Sequence, residues 1–575
     1  MAKNRPGRGY TVREGIDDQD LTDVFPEAEE KKVKGNGKEP TIEEPFKKSA
    51  ATTLVEMARE QYDFGISTTG ETFAIPKTEP RLVAMLRGSK TSLRGRLARD
   101  YFREYRRAAP QQALADALLV IDGFAQEAEA QELYLRVAPH DNDLWVDMGD
   151  LTGRAIRITP QGWSIEAQPP MLFRRTVLNG ALPDPERGGS LDELWGLLNV
   201  TAPDRPLVTA WLIAALFHDI PHPVLCFFGE QGTGKTTAHK MLVTAIDPGP
   251  VPIRKPPRDS DSWVTAAAGS WFVGIDNLSD VQPWLSDSIC RAVTGDGDVR
   301  RKLYTDGEHA VFAFRRCVCL NGIDLGASRG DLSERMLPIT LDRISEKTRR
   351  SEDEIWSQWE QCHPRILGAI LDLAVQVVAA LPSVELVSKP RMADFAKILA
   401  VVDSVLGTSG LSHYLSELEN LAADSLTGDC FILAVMELSE QFEGTSTELL
   451  NKVTSERPPR GWPKTPRNVT TRLKRHAPAM RKAGWQVEND GGRNKSNALI
   501  WTLVRPEEGR KSSSPDSLPR QNTTNGESTS IASEEYGPSQ DGCCPHCRGE
   551  GCERCLCPPI EQEYQEFANE LRRNN

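Results

Sequence analysis

Gly229, Gly234, Lys235 and Thr236 stand in the pattern G-x-x-x-x-G-K-[ST] within "HPVLCFFGEQGTGKTTAHKML", residues 222–242. The chemistry of this pattern is phosphate binding. Glycines let successive backbone N–H groups curl around a β-phosphate, the lysine reaches β/γ oxygens, and the hydroxyl ligates Mg²⁺. Gln231, Gly232, Thr233 and Thr237 complete the nucleotide-binding stretch. About forty residues on, "WFVGIDNLSD" (271–280) ends an apolar run on Asp276, where an acid would orient Mg²⁺. Asn277 follows it, where many nucleotide hydrolases carry an acid that handles the attacking water. A neutral amide can also position water, because phosphoryl transfer has a loose transition state and does not require a strong base. "CVCLN" (317–321) ends on Asn321, read either as a γ-phosphate or water contact or as a turn-forming Asn. Arg335, in "RGDLSERMLPITL" (329–341), is either an arginine finger for a neighbouring subunit or a solvated surface residue. Glu230, Asp296 and Asp298 are further acids near these motifs.

Two other stretches carry chemistry of a different kind. From Arg457 to Lys482 the chain has nine Lys/Arg and no acid. Arg467, Arg472, Lys474 and Arg475 are its candidate DNA contacts, on a helix that would enter a major groove or lie along phosphates. "CCPHCRGEGCERCLC" (543–557) holds Cys544-x2-Cys547 and Cys552-x2-Cys555, two knuckles that suit one tetrahedral Zn²⁺. Cys543, His546 and Cys557 are extra donors, so the ligand set stays open.

The elements that must position these residues follow from pattern. Residues 1–49 are polar and Gly/Pro-interrupted, as in a disordered segment. Residues 50–200 read as an α+β accessory domain: two helical stretches (91–108 and 111–128), then short strands separated by turns. No nucleophile, metal cluster or glycine loop stands out there, which suits docking or oligomerisation. Residues 201–345 alternate strands and helices around the phosphate loop, and 346–425 are helical. Residues 426–505 have the order of a winged helix-turn-helix, and 506–541 have linker composition. The zinc knuckle (542–558) and a helix (559–575) follow, the latter placing Ile560, Tyr564, Phe567 and Leu571 on one face for a partner.

The phosphate loop, "WFVGIDNLSD", "ICRAVTGDGDVRRKLYTDGEHAVFAFRRCVCLNGI" and "DLSERMLPITL" resemble superfamily 3 helicases. They resemble more closely the helicase-like ATPases of phages and integrative elements in bacteria. The resemblance is strong over about residues 220–345. It implies a multidomain α/β protein built on an AAA+-type parallel sheet of order 5-1-4-3-2, assembled as a ring, usually a hexamer. It also implies a β-hairpin that grips DNA in a central channel. By position, Arg300, Arg301 and Lys302 lie on or near its rising arm, "TDGEH" (305–309) supplies the turn, and His309 follows. Most superfamily 3 members have an acid where this chain has Asn277; the phage-like group uses the same "DN" form. "TPRNVTTRLKRHAPAMRKAGWQV" resembles the winged-helix tails of that group.

The 575 residues carry a net charge of −13, so any DNA surface must be local. No N-terminal stretch resembles a signal peptide, and the apolar run 207–217 is too short to span a bilayer. Six of the twelve cysteines are scattered in apolar contexts, as in a reducing compartment. The expectation is a cytoplasmic, Mg·ATP-dependent DNA helicase or translocase acting in phage or mobile-element replication, with no membrane role. Its alternatives are a DNA-binding regulatory ATPase that never unwinds, and a primase-helicase, for which 50–200 offers no evident acidic triad.

Overall fold

Parallel strands are covered on both faces by their crossover helices, so they read as unbroken apolar runs. Four such runs become β1 (Val224–Phe228), β3 (Phe272–Leu278), β4 (Cys317–Gly322) and β5 (Met336–Thr340), and a short half-buried strand, β2 (Ile253–Arg254), joins them. The computed structural model describes residues 48–88, 92–279, 281–295, 297–301, 309–322, 330–459, 461–492 and 499–506. In it β1 lies between β4 and β5, and β3 between β4 and β2, all parallel. The sheet order is therefore β5-β1-β4-β3-β2. Helix α1 (Lys235–Ile246) follows the loop after β1 and buries Ala238, Met241, Leu242 and Ala245. Cys226, Cys317 and Cys319 are free thiols within the central strands, and burial pushes all three pKa values up.

Residues 50–200, read from sequence as one α+β unit, carry two four-stranded sheets with different neighbours, besides a short parallel pair of Leu133–Tyr134 with Leu172–Phe173. In the first, Ala84–Met85, Thr72–Pro76, Tyr62–Ser67 and Ala130–Gln131 pair in that order. The helices Ala50–Gln61, Leu93–Tyr105 and Gln111–Gln126 pack with it around Leu54, Ala58, Leu97, Ala117 and Ile121. The second is an antiparallel meander from Val137 to Glu166. Its Val146, Ile156 and Ile158 share one apolar core with Trp211, Met241 and the long helix α2 (Glu352–Ala380).

A buried ion pair joins that meander to the parallel sheet. Arg136 is fully buried and donates through Nε to Asp247 Oδ1 at 2.9 Å, and through its Nη atoms to the carbonyls of Asp147 and Gly180. The other Asp247 oxygen accepts the backbone N–H groups of Trp271 and Phe272, at the start of β3. Burying two charges is tolerated when their hydrogen-bonding capacity is met this fully, and removing one partner typically costs about 3–5 kcal/mol. Arg136 thus fixes the entry to the strand that carries Asp276.

Ser351 and Glu354 close α2 with a capping box. Glu352–Ser383 is long and apolar enough to cross a membrane, yet Ile366, Leu367, Ile370 and Leu371 are buried in the protein core. The C-terminal part has helix Cys430–Met436, β6 (Phe442–Thr445), helix Ser446–Val453, helix α3 (Pro466–Lys482), β7 (Gln486–Asn489) and β8 (Ile500–Val504). The sheet order is β6-β8-β7, and Phe431, Leu449, Val469, Leu473, Met480 and Trp501 form its core. That is the element order of a winged helix.

Candidate nucleotide-binding site

Gly229, Gly232 and Gly234 have φ of 131°, 80° and 84°, a region that residues with a Cβ rarely enter. At Gly229 a Cβ would also stand 2.5 Å from the Leu341 carbonyl oxygen. The turn from β1 into α1 is therefore open to glycine at these positions, which is why the motif shows in the sequence. Thr233 is buried and its hydroxyl donates to the Glu230 carbonyl at 3.1 Å. Lys235 Nζ folds back over the loop, donating to the carbonyls of Gly229 at 2.5 Å and Glu230 at 2.6 Å. Partial burial lowers its pKa. Gln231 is exposed and Thr237 half-buried.

Beneath the loop, a hydrogen-bond chain brings together four residues singled out in the sequence. Thr236 Oγ1 donates to Asp276 Oδ1 at 3.1 Å, and Asn321 Nδ2 donates to the same oxygen at 2.6 Å. Asn321 Oδ1 accepts the backbone N–H of Asn277 at 2.6 Å. Asn321 is buried, so this turn-type residue at a strand end is a clamp within the site. The ladder shows why the clamp fits. Ile275 pairs with Leu320 but Leu278 pairs with Gly322, so β3 has one extra residue at Asp276–Asn277. Such a bulge re-aims a side chain.

Asn277 has φ of 57°. Asn tolerates the left-handed region better than most residues, because its short polar side chain bonds locally. The position thus has a backbone reason for Asn beside the chemical one. The Asn277 side chain is exposed, while its main chain is the part held by Asn321.

One turn along α1 from Lys235, His239 is buried over Gly274 with neither ring nitrogen partnered. Burial pushes its pKa down to about 4, against the pull of Asp276, so the ring is neutral near pH 7. Thr236, Asp276 and Asn321 offer oxygen and amide groups suited to a hard cation such as Mg²⁺. Among the described residues no group of three or more His, Cys, Asp or Glu gathers as a metal site.

Arg335 is placed differently from the rest. It is buried just before β5, and Nη1 meets Asp331 Oδ1 at 2.6 Å within the same chain. Arg391 also pairs with Asp331 and with Glu334, and Lys482 at the end of α3 lies 3.7 Å from Glu334. A second arginine, unremarked in the sequence, stands closer to the loop. The segment after β5 runs back over the loop, with Leu341 N–H donating to the Phe228 carbonyl and Ile344 N–H facing that of Gly232. The Arg349 guanidinium lies 3.4 Å from where a Cβ on Gly232 would be. Asn199 ties the same segment down, its Nδ2 donating to the carbonyls of Thr233 and Asp342. Neither residue belongs to a local motif, so only the tertiary fold reveals them.

The candidate DNA contacts divide. Gly297–Arg301 and His309–Ala313 form an antiparallel hairpin in which Arg300 is opposite Ala310 and Arg301 opposite His309. Lys302 and the turn lie outside the described residues. On α3, Arg467, Lys474 and Arg475 face outward, while Val469, Leu473, Ala477 and Met480 face the core. Arg472 is half-buried: it pairs with Asp429 at 2.7 Å and donates to the Gly461 carbonyl. Its charge is thus engaged within the fold, unlike that of Lys474, which is exposed. Cys544, Cys547, Cys552, Cys555 and the final helix lie outside the described residues.

Residues 191–424 match the family model described as actinomycete integrative conjugative element replication protein. Residues 430–518 match the AICE RepA C-terminal domain. None of the curated proteins matches the chain. Two similar solved structures are "SCCmec type IV Cch - active helicase" and the apo form of the NrS-1 C-terminal region. The first has a TM-score of 0.39 at 11% identity, over 78% of this chain and 93% of that one. The second has 0.36 at 11%, over 78% and 98%. At that level of likeness neither contributes to the reading of function. The described family is that of an integrative conjugative element, a mobile element. The two family matches adjoin, and over residues 191–424 and 430–518 the chain is similar to the replication proteins of actinomycete integrative conjugative elements.

Proposed function

We propose that this chain is a replication protein and an ATP-driven DNA motor, a helicase or translocase that hydrolyses Mg·ATP at subunit interfaces of a hexameric ring. The observation that carries this reading is the Thr236–Asp276–Asn321 chain of hydrogen bonds under a glycine-wound phosphate loop. The loop N–H groups and the N-terminus of α1 receive phosphate oxygens. Lys235 leaves the Gly229 and Glu230 carbonyls for the β/γ oxygens. Thr236 and Asp276 would hold Mg²⁺, which neutralises developing charge when bound. Asn321 keeps the Asp276 carboxylate aimed, and the Asn277 amide positions the attacking water. Arg349 faces the transferring phosphoryl from the same chain. For Arg335 to serve a neighbouring subunit it must first leave Asp331.

The hairpin 297–313 grips the strand, with Arg300, Arg301, Lys302 and His309 along it. Helix α3 contacts DNA through Arg467, Lys474 and Arg475. The cysteine knuckle holds Zn²⁺ in a structural role, beside a helix that docks a replication partner. The test is strand displacement from a forked duplex by the full chain with ATP. The motor reading predicts displacement that stops in Asp276→Asn. Nucleotide-dependent assembly without displacement would instead identify a regulatory switch.

A further inference from the structure

We propose that the outer face of helix Leu93–Tyr105, with its continuation to Arg107, binds single-stranded nucleic acid, separately from the hairpin and from α3. Residues 93–107 carry six arginines and two acids in a chain of net charge −13. One face of the helix is fully used: Leu93, Leu97 and Tyr101 are buried against the accessory sheet domain. Arg94, Arg99, Phe102, Arg103 and Tyr105 are exposed to solvent around the rest of the helix. Asp100 sits between Arg99 at 3.0 Å and Arg103 at 3.5 Å, so one carboxylate serves two guanidiniums and the face stays positive. Arg106 ends the helix in the left-handed region, and Arg107 turns back to the Tyr101 hydroxyl at 3.1 Å.

The aromatics decide the class of ligand. Phe102 is 51% exposed and Tyr105 40% exposed, on a helix whose apolar face is already complete. The Tyr105 ring rests 4.7 Å from the ring of buried Tyr101 with Glu104 beside it, and Phe102 stands about one helical turn away among Arg99 and Arg103. Bases stack on exposed rings while arginines follow the phosphates, a pairing of groups that recurs where single strands bind. A duplex hides its base faces and cannot use the rings. A protein partner would need a dense acidic face to match these arginines, whereas a nucleic acid supplies regular negative charge. This inference rests on the helix alone and stands whether or not the chain hydrolyses ATP.

The experiment is photocrosslinking of oligothymidylate to the full chain with peptide mapping, together with fluorescence anisotropy of the same labelled oligonucleotide. Crosslinks on the peptide holding Phe102 and Tyr105 are expected. Phe102→Ala with Tyr105→Ala should weaken binding roughly 5- to 100-fold, and Phe102→Tyr should retain it. Arg99→Ala with Arg103→Ala should flatten the salt dependence by roughly 0.7 per lost phosphate contact, and a duplex competitor should displace the oligonucleotide poorly. Absence of crosslinks in residues 93–107 overturns the proposal even where other surfaces bind DNA. So does loss of self-association, in place of oligonucleotide binding, in the Phe102 and Tyr105 variants, which would make this face a protein interface.

Discussion

The phosphate loop and helix α3 are both rich in residues that look chemical, yet the fold uses them in different ways. In the loop, main-chain geometry commits each residue. Three glycines occupy φ values that others avoid, and Asn321 locks Asp276 through a bulge in β3. On α3, the same residue type meets two fates. Arg467 faces outward, while Arg472 is drawn into an ion pair with Asp429. A motif that encodes backbone conformation carries its function in its spelling, whereas a surface charge acquires its role from neighbours distant in sequence.

The sharpest way to break this comparison is at Thr236 and Asp276, the pair proposed to hold Mg²⁺. Thr236→Ala and Asp276→Asn should each lower ATP turnover roughly 100-fold or more, measured as phosphate release by the full chain. Retained turnover in both would show that the loop is not the site of chemistry. Asn321→Ala removes the clamp without removing a nucleotide ligand, and turnover should fall on the order of 10- to 100-fold with nucleotide affinity little changed.

Arg472→Ala should destabilise the C-terminal β6-β8-β7 part by about 2 kcal/mol, read as faster hydrogen exchange in β8 peptides. Lys474→Ala should leave that exchange unchanged. The same contrast has a pH signature. Burial acts to raise the Asp429 pKa, but its hydrogen bond to His476 and the Arg472 charge outweigh it and hold the carboxyl at about 2. A carboxyl with a depressed folded-state pKa stabilises the fold above its ordinary value of 3.8 and loses that contribution as pH falls toward 2. Acid loosening of this part in that window should disappear in Asp429→Asn.

Asn277→Gly separates backbone from amide. Glycine keeps the left-handed turn, so thermal stability should hold while turnover falls about tenfold. Unchanged turnover would assign Asn277 to the bulge alone. The smallest expected effect is at Lys474→Ala, which should reduce DNA affinity a few-fold and the salt slope by roughly one contact.

These contrasts also explain what was legible in the sequence. β1, β3, β4 and β5 were readable because strands buried on both faces must be continuously apolar, as in Val224–Phe227 and Cys317–Leu320. The loop was readable because its glycines are sterically required. The joint made by Arg136 and Asp247 was not, since it joins residues 111 apart and neither lies in a motif. Nor was the approach of Arg349 to Gly232, which depends on how the chain after β5 folds back. Asn277 was legible as a question only. Its positive φ depends on the register between β3 and β4, which the spacing of the motifs does not specify.

The central claim is that the loop and the clamp beneath it power work on DNA. ATP turnover by the full chain, with and without single-stranded DNA, tests it most directly when wild type is set beside Lys235→Ala. The account predicts turnover that DNA stimulates and that Lys235→Ala abolishes. Turnover indifferent to DNA, or surviving in Lys235→Ala, would contradict it.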